Sequence, residues 1–153
     1  MAPFTLERTQ RIAADPAELT AFFESPRNLE RITPPWLRFR IRSCTDDPVR
    51  EGTRISYRLR INGLPVRWES LITEYDPGRS FTDTMLRGPY RRWVHRHDFR
   101  VVGGGVDVID RVEYELPLGV VGRLVHHLWV RRQVEDIFAY RAKVIAELFE
   151  GGT

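Results

Sequence analysis

An α+β fold is predicted, with a curved seven-stranded antiparallel sheet around one long C-terminal helix and two short helices after the first strand. Three observations carry it. Hydrophobicity alternates with period two from residue 37 to residue 116, interrupted only by turn chemistry. After Pro117 the period changes to 3.6 and stays there. Between the first alternating segment and the rest stand two cap-and-proline pairs, Asp15-Pro16 and Ser25-Pro26.

The elements follow in chain order. Residues 4–12 place Phe4, Leu6 and Ile12 on one parity, as a half-buried strand does. Asp15-Pro16-Ala17-Glu18 supplies an N-cap acid, a first-turn proline and a capping-box glutamate ahead of Leu19, Phe22 and Phe23. Ser25-Pro26 starts a second short helix carrying Leu29 and Ile32, and Pro34-Pro35 ends it. Strands are expected at 37–43, 53–61, 65–75, 80–87, 92–102 and 106–116. The breaks are Asp46-Asp47-Pro48, Asn62-Gly63, Asp76-Pro77-Gly78, Gly88-Pro89 and Gly103-Gly104-Gly105. Asn62-Gly63 is the strongest, because both central residues of a tight hairpin turn need positive φ. None of these connections is long enough for a parallel crossover, so neighbouring strands run antiparallel. Val121, Leu124, Val125, Leu128, Val134, Ile137, Phe138, Val144, Ile145 and Leu148 then form one broad helical stripe that Gly151-Gly152 stops. A helix of about thirty residues is roughly 45 Å long.

Side-chain alternation assigns the inner face. It collects Ile55, Tyr57, Leu59 and Ile61; Val66, Trp68, Ser70 and Ile72; Phe81, Asp83, Met85 and Arg87; Trp93, His95, His97, Phe99 and Val101; and Val106, Val108, Asp110, Val112, Tyr114 and Leu116. Polar groups on this apolar parity are the informative ones: Tyr57, Asp83, His95, His97, Asp110 and Tyr114. Burying them without partners costs a few kcal/mol each, so they pair with one another or line a wet pocket. His95 and His97 reach Asp110 on one neighbouring strand and Asp83 on the other. One helix is about 10 Å across, so a sheet curved around it leaves a cavity unless aromatic side chains fill the space.

The chain has 153 residues, 42% of them hydrophobic and 29% charged, which suits one globular domain over 1–153 and excludes disordered and disulfide-rich classes. Cys44 is the single cysteine, which excludes a disulfide within the chain, and Arg42-Ser43-Cys44-Thr45 offers it no activating base. The net charge of +3 comes almost wholly from arginine, Lys143 being the sole lysine. These arginines are interspersed with acids, so no nucleic-acid partner is expected. No apolar run reaches the ~18–20 residues of a transmembrane segment and no leader pattern opens the chain, so a cytoplasmic location is expected.

Thr33-Pro34-Pro35-Trp36-Leu37, Gly88-Pro89-Tyr90, Trp93-Val94-His95-Arg96-His97 and Asp110-Arg111-Val112-Glu113-Tyr114-Glu115-Leu116-Pro117, in this order of elements, resemble the SRPBCC superfamily. That superfamily includes START lipid-transfer domains, birch-pollen-allergen-like proteins and aromatic polyketide cyclases. More narrowly, the chain is similar to small bacterial members that also occur attached to epimerase-like "cell division inhibitor" proteins. The resemblance implies a helix-grip fold with a deep cavity for lipids, polyketides or other apolar molecules. In the subgroup an aspartate is followed two positions later by glutamine on the strand before Gly-Pro-Tyr; Asp83 matches, and Met85 departs.

Two functions are weighed. The first is binding of a small hydrophobic ligand between sheet and helix, for transport or sequestration. Trp68, Trp93, Phe99 and Met85 would supply apolar contact, while His95, His97, Asp83, Asp110, Tyr57 and Tyr114 orient a carbonyl or hydroxyl. Trp36 would stand at the entrance. The second is a polyketide cyclase or dehydratase-like enzyme, with His95 or His97 as general base, Asp110 or Asp83 fixing its tautomer and a tyrosine hydroxyl donating to the oxyanion. His-x-His with a carboxylate is also a ligand pattern for zinc or iron, but a weak one at this spacing, and neither a metal nor a cofactor is assigned. His126 and His127 are read as surface or rim residues. The chain is expected to be a monomer or homodimer, and an uncovered Leu118, Trp129 or Val130 would mark a dimer face.

Overall fold

The computed structural model describes residues 2–150. Seven strands form one antiparallel sheet: β1 (Phe4–Ile12), β2 (Arg40–Cys44), β3 (Arg54–Ile61), β4 (Leu64–Asp76), β5 (Ser80–Arg87), β6 (Arg92–Val102) and β7 (Gly105–Glu115). Their spatial order is β1-β7-β6-β5-β4-β3-β2. Thus β2 to β7 form a meander, and β1 closes on the last strand. Asn62 and Gly63 have φ of 52° and 79°, the doubly positive turn the dipeptide predicts.

Helices α1 (Pro16–Glu24) and α2 (Leu29–Ile32) are the expected tandem pair. The Asp15 side chain caps α1 by accepting from the Glu18 backbone N–H at 3.1 Å. The strand expected at 37–43 begins later, at Arg40. Arg38 takes a left-handed conformation after a 3₁₀ turn at Pro35–Leu37, which tucks Leu37 and Phe39 into the core before pairing begins.

The C-terminal helix is α3 (Gly119–Val125), a π-helical turn (His126–Val130) and α4 (Arg131–Glu150) in unbroken succession. The expected Gly151-Gly152 stop lies outside the described residues. In α4 the buried residues Val134, Phe138, Arg141 and Ile145 form the inner stripe. Running that stripe back at the α-helical period would bring His127 and Arg123 or Leu124 inward. The wide π turn shifts the phase by one residue, and Gly122 and His126 face in instead. Val121, Leu124 and Leu128, expected on the buried stripe, are 58%, 59% and 58% exposed. His126, read from sequence as a rim residue, is buried: its ring stacks on Phe4 at 3.4 Å, and its Nε2 shares a 2.7 Å hydrogen bond with the Tyr114 hydroxyl. Gly122 is held against the chain before it, because a Cβ there would lie 2.1 Å from the Pro117 carbonyl oxygen.

Three apolar clusters line the inner face. One joins α1 and α2 to the strands through Leu19, Phe23, Phe81 and Phe99. A second surrounds Trp68, and the third packs Val112 and Tyr114 on Val134 and Phe138. Val101, placed inward by parity, is 65% exposed near the end of β6. Asp107, placed outward, is buried on the outer face, where Arg11 and Arg100 cover its carboxylate at 2.8 and 3.1 Å. Among the described residues no helix is long and apolar enough to cross a membrane.

Candidate functional site

A cavity of about 180 Å³ lies between the concave face of the sheet and α4, roofed by α1 and α2. Its wall is largely apolar. Leu29 and Ile32 from α2, Leu59 and Trp68 from β3 and β4, and Ile137 and Phe138 from α4 contribute to it. Trp68 anchors one end, meeting Trp93 edge-on at 5.4 Å and stacking on Tyr57 at 5.9 Å, while its Nε1 donates to Ser70 Oγ at 3.0 Å.

Charge is concentrated at one place on this wall. Sheet register sets Asp83 opposite His95 and His97 opposite Asp110. The short contacts nevertheless run diagonally: His95 Nε2 to Asp110 Oδ1 at 2.7 Å, and His97 Nε2 to Asp83 Oδ2 at 2.7 Å. Both imidazoles are buried and stack at 3.7 Å, with Phe81 on the far side of His97 at 4.2 Å and Phe138 edge-on to His95. From α4, Arg141 Nη2 reaches Asp110 Oδ1 at 3.3 Å and His97 Nδ1 at 3.4 Å.

This network fixes protons. An arginine only donates, so His97 Nδ1 must accept, and the His97 proton sits on Nε2, where it donates to Asp83. His97 is therefore neutral, in line with burial and with the adjoining His95 ring and Arg141 guanidinium, which outweigh Asp83 and pull its pKa down to about 4. For Asp83 and Asp110 burial alone raises the pKa. His97, His95 and Arg141 together reverse this at Asp83, and Arg141 with His95 does so at Asp110, so both remain carboxylates. Burial, with the Asp83 charge, pushes the Tyr57 phenol up and keeps it neutral. His95 differs from His97 in one respect: among the described residues its Nδ1 has no hydrogen-bond partner, Asp83 Oδ2 being 3.9 Å away.

Six of the expected site residues line the cavity: Tyr57, Trp68, Asp83, Trp93, His95 and His97. Four do not. Asp110 stands behind His95, in a recess toward β1. Phe99 belongs to the core against Phe23 and Phe81. Tyr114 is turned to His126 and the Tyr90–Trp93 pair. Met85 packs beside Gly88, whose hypothetical Cβ would lie 2.4 Å from its sulfur. Trp36, expected at the entrance, is 55% exposed and meets Tyr140 edge-on outside the lining.

Sequence reasoning missed Arg141 and, with it, Gln133 on the same helix. The clue was available: Arg141 occupies an inner position between Phe138 and Ile145 in a stripe otherwise read as apolar.

Asp83, His95 and His97 each present one ligand atom within 4.8 Å of the others, a donor set of the type that suits zinc or iron. The surroundings suit a cation poorly. Arg141 already lies against His97, and binding through His97 Nε2 would sacrifice the Asp83 hydrogen bond.

The sequence pattern of the family described as polyketide cyclase / dehydrase and lipid transport matches residues 3–150. A comparison with curated proteins finds no match. Among solved structures, the di-domain aromatase/cyclase StfQ of the steffimycin biosynthetic pathway superposes with a TM-score of 0.74 at 15% identity, over 97% of this chain and 50% of that one. Protein CV1439 of Chromobacterium violaceum gives 0.72 at 16% identity, over 95% and 96% of the two chains. A START superfamily protein of Mycobacterium smegmatis gives 0.70 at 15% identity, over 97% and 99%. At such identities these likenesses speak to the fold.

Proposed function

The chain belongs to the polyketide cyclase / dehydrase and lipid transport family, and from that premise we propose that it binds a small, mainly apolar molecule bearing a ring hydroxyl or carbonyl. The observation that carries this reading is the His–carboxylate–arginine cluster set into an otherwise apolar cavity wall. Apolar surface supplies affinity there, and the few polar groups select one orientation. At about 10–15 Å³ per water-sized occupant, the space takes roughly a dozen non-hydrogen atoms. That suits one or two fused rings. The polar tip of such a ligand would face His95 Nδ1 and Asp83.

A naphthol, two fused rings with one hydroxyl and intrinsic fluorescence, tests this directly. Saturable one-to-one binding is expected. Ile137→Trp, which fills the cavity from α4, should weaken it by more than about tenfold, equivalent to 1.4 kcal/mol. Equal titration curves for the two proteins, or no saturable binding, would sink the reading.

A cyclase or dehydratase reading draws support from the unpartnered His95 Nδ1. The Asp110 carboxylate accepts a hydrogen bond from His95 Nε2–H and so holds the tautomer whose Nδ1 lone pair is available as a general base. A small aryl β-diketone reports on such a base through hydrogen–deuterium exchange at its acidic central carbon. On this reading the protein accelerates exchange, and His95→Gln removes about 10²-fold or more of the acceleration. Exchange at the buffer rate with wild-type protein would leave binding alone.

A further inference from the structure

The first turns of the C-terminal helix are amphipathic in reverse. Gly122 and His126 form the inward stripe, while Leu118, Val120, Val121, Leu124, Leu128 and Trp129 are 77%, 78%, 58%, 59%, 58% and 64% exposed. Ordinary helices in water place such residues against a core. Here the orientation is fixed by the His126–Tyr114 hydrogen bond, the Phe4 stack and the close approach of Gly122 to Pro117, so the apolar face is held outward rather than left loose.

The charges around this face choose its occupant. From Pro117 to Val134 there is no acidic residue, whereas Arg123, Arg131 and Arg132 lie within the same turns. The first acid beyond, Glu135, is already paired with Arg131 at 3.3 Å. A second copy meeting this surface about a twofold axis, the commonest arrangement, would set the same three arginines near one another, with only the exposed Asp136 beyond the Arg131–Glu135 pair to offset them. An anionic lipid surface meets both features. Phosphate headgroups match the arginines, and the leucines, valines and the indole of Trp129 reach the headgroup–acyl boundary, where tryptophan is favoured.

We propose that residues 118–132 form a docking surface for anionic lipid membranes, with the apolar side chains embedded at the interface and Arg131 and Arg132 on the headgroups. Trp129 stands one turn before Gln133, which lines the cavity, so docking brings the membrane next to the cavity wall. Docking does not require the cavity to hold a ligand.

Co-sedimentation with vesicles decides it. The full chain is expected to pellet with vesicles of equal parts phosphatidylcholine and phosphatidylglycerol, and far less with phosphatidylcholine alone. Leu124→Ser with Trp129→Ser, both at exposed positions, should lower partitioning by about tenfold or more at an unchanged melting temperature. Arg131→Gln with Arg132→Gln should lower it similarly, for phosphatidylglycerol vesicles only. No partitioning of the wild-type chain, or partitioning unchanged in both double variants, overturns the proposal. A lipid-free dimer that Leu124→Ser with Trp129→Ser converts to monomer also overturns it, because a second copy then covers this face.

Discussion

Arg141→Met is expected to destabilise the protein by about 3–5 kcal/mol, the range for removing one partner of a buried ion pair. Methionine keeps much of the aliphatic stem, so the loss reports mainly on the guanidinium, its charge and its place over the Phe23 and Phe138 rings. Asp83, Asp110 and Arg141 themselves sum to one negative charge; without the guanidinium the sum is two, on side chains only 19% and 13% exposed. The cost should appear in the urea midpoint at neutral pH. It should shrink in the background of Asp110→Asn, because the carboxylate that Arg141 neutralises is then already gone. A loss below about 1 kcal/mol, the magnitude of exposed ion pairs, would mean that water and not Arg141 neutralises the cluster.

This dependence explains why the site was half legible in the sequence. Strand alternation alone put Asp83, His95, His97 and Asp110 on one face, and consecutive antiparallel strands made them neighbours. The short connections at 88–91, between β5 and β6, and at Gly103-Gly104, between β6 and β7, set the register that brings them together. Parity states which side a residue faces, but not whether the sheet and helix close over it. Phe99, Met85 and Tyr114 thus share the inner side with His95 and His97 yet contact core or helix rather than open space. Helix phase was harder still. The π turn at His126–Val130 moves the inward face by one residue, so a single 3.6-residue stripe drawn through the whole helix misplaces Val121 and Leu124 before it. That one insertion sends Leu124 and His127 outward and His126 inward. Arg141 is illegible for a simpler reason: apolar periodicity marks the stripe, and a single cation within it leaves that period unchanged.

Acid should unfold the protein earlier than its surface charges alone would dictate, and His97 is the main cause. Its folded-state pKa lies near 4 against an ordinary 6.5, so the unfolded chain takes up the proton first. Stability is then fully present above about pH 6.5 and lost progressively as pH falls toward 4, by about 3 kcal/mol in all for a displacement of this size. His126, also lowered by burial and by neighbouring cations, acts in the same direction. Below the ordinary carboxylate range Asp83 and Asp110 continue the loss, because their depressed pKa values stabilise the fold only while they are charged. Urea midpoints measured between about pH 7.5 and 2.5 separate these contributions. His97→Gln keeps an N–H for Asp83 but cannot titrate, and should flatten the curve between about pH 6.5 and 4 while leaving the steeper fall below it. An unchanged slope in that variant would show that His97 is protonated in the folded protein. The proton on its Nδ1 would then have to displace the Arg141 hydrogen bond, and the cluster would carry the extra positive charge on the imidazole instead.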